Sequence, residues 1–115
     1  MAMLNELKCT ICQVGDIPLD DDEISEYLQD INGWSVVDEN SAKRIKKTYQ
    51  FKDYPSGLEF TNKVARLAEA EGHHPSIQLD WGKVTVTWWT HKIKGLHKND
   101  FIMAAKTDSW FVAEK

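Results

Sequence analysis

Two periods of apolar spacing alternate along this chain. Ile24, Leu28 and Ile31 recur at intervals of four and three, the spacing of one helix face. Asp20 is placed to cap that helix, Glu23 stands three residues later as in a capping box, Leu19 can staple onto Ile24, and Gly33 is the expected stop. From Trp34 the period drops to two. WSVVDE reads as one strand and KRIKKTYQF as the next, joined by a polar turn at Asn40 and Ser41. Ile45, Lys47, Tyr49 and Phe51 fall on one face of the second strand and Arg44, Lys46, Thr48 and Gln50 on the other, which predicts a sheet with one covered and one solvated side.

Helical spacing returns at Phe60, Val64, Leu67, Ala68 and Glu71, behind Asp53 as a cap and Pro55 in the first turn, and Gly72 supplies the stop. IQLDW and KVTVTWWT then predict a hairpin turning near Gly82. Ile77, Leu79 and Trp81 share a face of its first strand, and Val84, Val86 and Trp88 share a face of its second, so Trp81 and Trp88 are expected in the core. If the second strand runs on, His91 falls with Thr85, Thr87 and Trp89 on the opposite face and is accessible. A last helix from about Lys98 packs Phe101, Ile102, Ala104, Ala105 and then Trp110 or Phe111, with Asp100 in the first turn where a negative charge suits the helix dipole. The order α-β-β-α-β-β-α predicts an α+β fold, a four-stranded antiparallel sheet with three helices packed on one face.

Bulk properties narrow the function classes. A chain of 115 residues has room for one core, and 42% hydrophobic content with five Trp argues for a packed globule. Residues 1–18 show no sustained periodicity and are expected to form an extension, with residues 19–115 as the single domain. Net charge is −4 and the basic residues are dispersed, which gives no electrostatic basis for direct nucleic-acid binding. The first nine residues lack the apolar core of a signal peptide, and no apolar run approaches the roughly 20 residues that span a bilayer. A cytoplasmic protein without a membrane partner is the expectation. Cys9 and Cys12 form a CxxC that admits a redox pair, half a zinc site, or two unengaged thiols; a zinc reading needs two more ligands, from a histidine or a second subunit.

Candidate chemistry concentrates between Glu69 and Leu96. Three of the four histidines lie there: His73 and His74, between a helix stop and Pro75, and His91 after the strand-like run. Imidazole titrates nearest neutrality among side chains, so such a group suits proton transfer.

The ordered set Glu69, His73, His74, Pro75, Thr90, His91, Gly95, Leu96 and Asp100, extended upstream through Gly33-Trp34, Phe51-Lys52-Asp53-Tyr54, Phe60 and Val64, resembles the pterin-4a-carbinolamine dehydratase family over roughly residues 20–113. The resemblance implies a dehydratase that turns 4a-hydroxytetrahydropterin into quinonoid dihydropterin, after an aromatic amino-acid hydroxylase has used its pterin. It implies no metal and no organic cofactor, a homodimer or homotetramer, and in the animal member a second role as a dimerisation cofactor for a transcription factor. By position it makes His73, His74 and His91 catalytic, His74 and His91 moving protons and His73 orienting the hydroxyl. Glu69, Pro75, Thr90 and Trp89 become candidate substrate-binding residues, Trp89 as a surface on which a flat pterin can stack and Glu69 as the carboxylate acting on His73. Two departures stand out: His97 where the family usually has a small hydroxylated cap, expected as a solvated helix-start residue, and Gly72 where some members carry a polar side chain. The competing readings are a dimerisation or regulatory module with the same fold, and a metal-binding protein built on Cys9, Cys12 and a histidine.

Overall fold

A computed structural model of the chain describes residues 17–111. Cys9, Cys12 and the stretch up to residue 16 lie outside the described residues, as do residues 112–115. The elements follow the order α1 (Asp21–Leu28), β1 (Ser35–Glu39), β2 (Ala42–Gln50), α2 (Tyr54–Glu71), β3 (Ser76–Asp80), β4 (Lys83–Trp88) and α3 (Lys98–Trp110). A short 3-10 turn, His91–Ile93, sits between β4 and α3.

Each start and stop has a local cause. At α1 the Glu23 amide donates to Asp20 Oδ1 at 2.8 Å and the Asp20 amide donates to Glu23 Oε1 at 3.0 Å, a complete capping box. The helix ends at Leu28, five residues before Gly33, whose φ of +86° serves the entry into β1 instead. Asn40 and Ser41 both take positive φ, 52° and 63°, and so close β1 onto β2 in two residues. Asp53 caps α2 by accepting from the Ser56 amide at 2.9 Å, and hydrogen bonding to Ser56 holds its carboxyl below the usual carboxylate range.

The four strands form one antiparallel sheet in the order β1-β2-β4-β3. The helices cover one face, α2 against β3 and β4, α3 against β4 and α2, and α1 against α3. Ile45, Val84, Val86 and Trp88 meet Val64, Phe101, Met103 and Ala104 in an interior where each of these side chains is essentially inaccessible. Burying side chains of this size contributes about 1.5–3 kcal/mol each for the Val, Ile and Phe class. Among the described residues no helix is long and apolar enough to cross a membrane.

Trp81 is a correction. Expected in the core by alternation, it is 72% exposed, because β3 ends at Asp80 and Asp80 pairs with Lys83, leaving Trp81 and Gly82 as the two-residue turn. Trp88, the other tryptophan expected inside, is fully buried. Near the C-terminal end of α3, Asp108 gathers three donors: Trp34 Nε1 at 3.1 Å, Lys47 Nζ at 2.9 Å and the Tyr49 hydroxyl. Burial first, and then the hydrogen bond to Asp108, push the Tyr49 phenol well above its ordinary range.

Candidate active site

The antiparallel pairing of β3 with β4 decides where the histidines go. Ser76 lies opposite Thr87, so residues just before Ser76 run beside those just after Thr87. His73-His74 and His91 are thereby brought to one end of the sheet although 17 positions separate His74 from His91.

Gly72 makes the first bend. Its φ of +66° ends α2 in the left-handed conformation, with open space where a Cβ would be, and the His73 amide donates to Ala68 O at 3.1 Å. The two adjacent imidazoles then part. His73 turns inward, its ring parallel to Trp88 within 9° at a centroid distance of 5.7 Å. Its Nε2 lies 2.6 Å from Asp100 Oδ1. His74 stays exposed, with Nε2 3.1 Å from Glu69 Oε2.

Asp100 is the organising group. Its side chain is fully buried, and a buried carboxylate is tolerable only when donors surround it. Oδ2 accepts from the Thr90 hydroxyl at 2.8 Å and from the His97 amide at 2.9 Å, while Oδ1 takes His73. A carboxylate in its ionised form only accepts, and paired with such a group His73 bears its hydrogen on Nε2.

These contacts correct two expectations. Glu69 partners His74 and not His73, since the left-handed bend at Gly72 redirects the chain after the helix, and the carboxylate against His73 comes from α3. His97 is half-buried and caps α3: its Nδ1 accepts from the Asn99 amide at 3.1 Å, and Asp100 completes the box. Imidazole therefore performs the cap that a hydroxylated side chain would otherwise supply.

Beyond Trp88 the chain leaves the sheet. Thr90 and Gly95 form an isolated bridge, with Thr90 N–H to Gly95 O at 2.9 Å, and His91 opens the 3-10 turn between them. His91 is exposed, as expected, though through the turn and not through a continued strand. Its ring lies against Trp89, centroids 4.3 Å apart. Gly95 is packed from outside by the N-terminal segment: a Cβ there would sit 2.9 Å from Pro18 Cβ, and the Leu19 amide donates to Leu96 O at 2.9 Å. Pro75 is half-buried beside the pair.

Of the residues singled out in the sequence, His73 and Thr90 are joined through Asp100, His74 is joined to Glu69, and His91 to Trp89. The residue whose role sequence reasoning missed is Asp100, placed in the family pattern and against the helix dipole but given no partner. Its signal was available in the spacing: it stands three residues after a possible cap and directly before the apolar run Phe101 to Ala104. Among the described residues no group of three or more His, Cys, Asp or Glu side chains is arranged to hold a metal ion.

Residues 17–110 match the model of the family described as pterin 4 alpha carbinolamine dehydratase. A protein of Vibrio vulnificus, provisionally named pterin-4-alpha-carbinolamine dehydratase, is 52% identical over 106 residues, covering 92% of this chain and 96% of its own. One from Photobacterium profundum, under the same provisional name, is 51% identical over 108 residues, covering 94% and 96%. Among solved structures, a transcriptional coactivator/pterin dehydratase from Brucella melitensis superposes with a TM-score of 0.73 at 29% identity, covering 81% of this chain and 97% of that one.

Proposed function

The chain belongs to the pterin 4 alpha carbinolamine dehydratase family, and on that footing we propose that it dehydrates a 4a-hydroxytetrahydropterin such as 4a-hydroxytetrahydrobiopterin, with His73, His74 and His91 as its catalytic groups. The chemistry has two demands. Hydroxide leaves C4a readily only if protonated as the C–O bond breaks, and a proton must leave the ring nitrogen to complete the C=N bond of the quinonoid dihydropterin. An imidazolium meets the first and a neutral imidazole the second, each well-placed transfer contributing about 10²- to 10⁴-fold.

The observation that carries this reading is the buried Thr90–Asp100–His73 arrangement at the end of the sheet that also presents His74 and His91. His73 is fixed on one nitrogen and half-covered, which suits a group that orients the substrate hydroxyl. His74 and His91 are exposed and can exchange protons with water, which suits acid and base. Glu69 orients His74, Pro75 follows it in the chain, and Trp89 lies against His91. Thr90, with its hydroxyl given to Asp100, serves by holding the carboxylate instead of by touching the pterin.

The proposal extends to a cytoplasmic homo-oligomer in which residues 19–115 are the catalytic domain, taking its substrate from an aromatic amino-acid hydroxylase so that the pterin is recycled. The test is the absorbance of the 4a-hydroxypterin followed with and without the protein. His74→Ala and His91→Ala are each expected to lower turnover more than about tenfold without loss of fold. Wild-type turnover in both variants would remove them from the mechanism. A regulatory binding module is the second reading, favoured by the coactivator half of the Brucella melitensis neighbour's name. It predicts that the same two variants keep their self-association and any partner binding intact.

A further inference from the structure

On the face of the sheet under the helices, Ile45 of β2 pairs with Trp88 of β4, so the register sets Arg44 across from Trp89 on the opposite face. The two side chains meet: the guanidinium carbon of Arg44 lies 3.9 Å from the centroid of the Trp89 ring. The same indole touches the His91 ring, centroids 4.3 Å apart and planes tilted by 43°. Arg44 is held in turn from its other side, Nη2 donating to the Glu39 backbone oxygen at 3.3 Å and Nη1 standing 3.7 Å from the Glu39 carboxylate. Its side chain is only 12% exposed, so the cation lies over the indole with most of its water removed, the condition under which cation–π attraction is strongest.

We propose that Arg44, tethered to Glu39, is a positioning residue for His91 and acts through the indole of Trp89. His91 needs such a mount. It lies past the end of β4 in a short 3-10 turn, with an exposed ring, and among the described residues the contact of that ring is with Trp89. Trp89 lies beyond the last residue of β4, half-buried against the core, and the guanidinium over its ring restricts the rotamer it takes there. Arg44, Trp89 and His91 thus form a relay from the interior of the sheet to the loop, and Trp89 serves as a bracket for the imidazole more than as a surface for a ligand. The catalytic consequence rests on the proposed proton-transfer role of His91; the positioning itself does not.

The experiment reads both. The His91 Cε1–H resonance, assigned by its absence from the His91→Ala spectrum, is shifted by the ring current of the neighbouring indole. Arg44→Gln is expected to move this resonance toward the position of free histidine and to lower kcat on the order of 10-fold, since small displacements of a reacting group cost that much or more. KM should change by less than about twofold, because no contact to substrate is removed. Arg44→Lys, which keeps the cation without the planar fork, should restore part of both. If Arg44→Gln does not fold, Glu39→Gln removes the charged half of the tether, leaves the backbone acceptor and Trp89 in place, and should give a smaller shift in the same direction. A His91 resonance left at its wild-type position in a folded Arg44→Gln or Glu39→Gln variant overturns the proposal. A moved resonance with unchanged kcat upholds the positioning and sinks the role of His91 in the reaction; a wild-type protein without dehydratase activity sinks that role alone, and the resonance then decides the positioning.

Discussion

Asp100 holds its place in the interior by accepting from three donors at once, and each donor is itself part of the candidate site or of the helix that frames it. Asp100→Asn retains the shape and replaces one accepting oxygen with an NH₂, so either the His97 amide meets donor with donor or His73 must take its other tautomer and accept at Nε2. The expected result is a loss of about 1–3 kcal/mol in urea-unfolding stability. Turnover should fall together with it, since His73 loses the group that fixes its tautomer. A variant as stable and active as wild type would show that the carboxylate organises nothing. Tyr49 gives a second test at this scale. Its folded pKa is raised, first by burial and then by Asp108, so the unfolded chain releases the phenolic proton earlier than the folded one does. Stability is therefore undiminished below the ordinary tyrosine value of about 10 and declines as pH rises beyond it. Tyr49→Phe should be less stable than wild type at neutral pH by about 0.5–1.5 kcal/mol, with the gap narrowing above pH of about 10 in chemical-denaturation curves. Individual residues were only partly legible in the sequence. The histidines and their adjacency to Thr90 could be read directly, but the partner of His73 lies 27 residues away and that of Thr90 ten, and no spacing rule joins groups that meet only after the sheet has closed.

Elements were more legible than contacts, because their signals are local. The capping box at Asp20 and the cap at Asp53 mark helix starts within a residue, and the change of period at Trp34 marks the first strand. Where alternation misled, it did so at an end: Trp81 continues the rhythm of β3, yet the turn claims it, and periodicity carries no information about where pairing stops. The 3-10 turn at His91 is too short to have any period. The β1–β2 turn yields a prediction proper to this scale. Ser41 takes a φ of 63°, a left-handed conformation that costs an L-residue about 1–2 kcal/mol and glycine almost nothing. Set against the greater chain entropy that glycine loses, roughly 0.5–1 kcal/mol, Ser41→Gly should raise stability by about 0.5–1 kcal/mol, read as a higher urea midpoint at unchanged slope. A lower midpoint would mean that the Ser41 side chain contributes more than its backbone costs.

Across the whole molecule, the helices occupy one side of the sheet while the imidazoles gather at one end, where β3 begins and β4 finishes. Fold class followed from the two periods alone. The placing of the histidines at one end follows from the β3–β4 hairpin, which the sequence marks at Gly82, whereas β4 lies between β2 and β3 by a pairing that sequence order does not dictate. The N-terminal segment belongs to this arrangement as well, since Pro18 rests on Gly95 and Leu19 bonds to Leu96. Gly95→Ala is expected to lower activity more than it lowers thermal stability, as measured by initial rates beside a melting curve. Equal and small effects on both would show that Pro18 simply yields.

That seam means the loop bearing one imidazole is clasped by a stretch that precedes the first helix. One methyl group added at position 95 is expected to act as a wedge there, prising the clasp open at a spot remote in sequence from the adjacent pair and slowing the proposed chemistry.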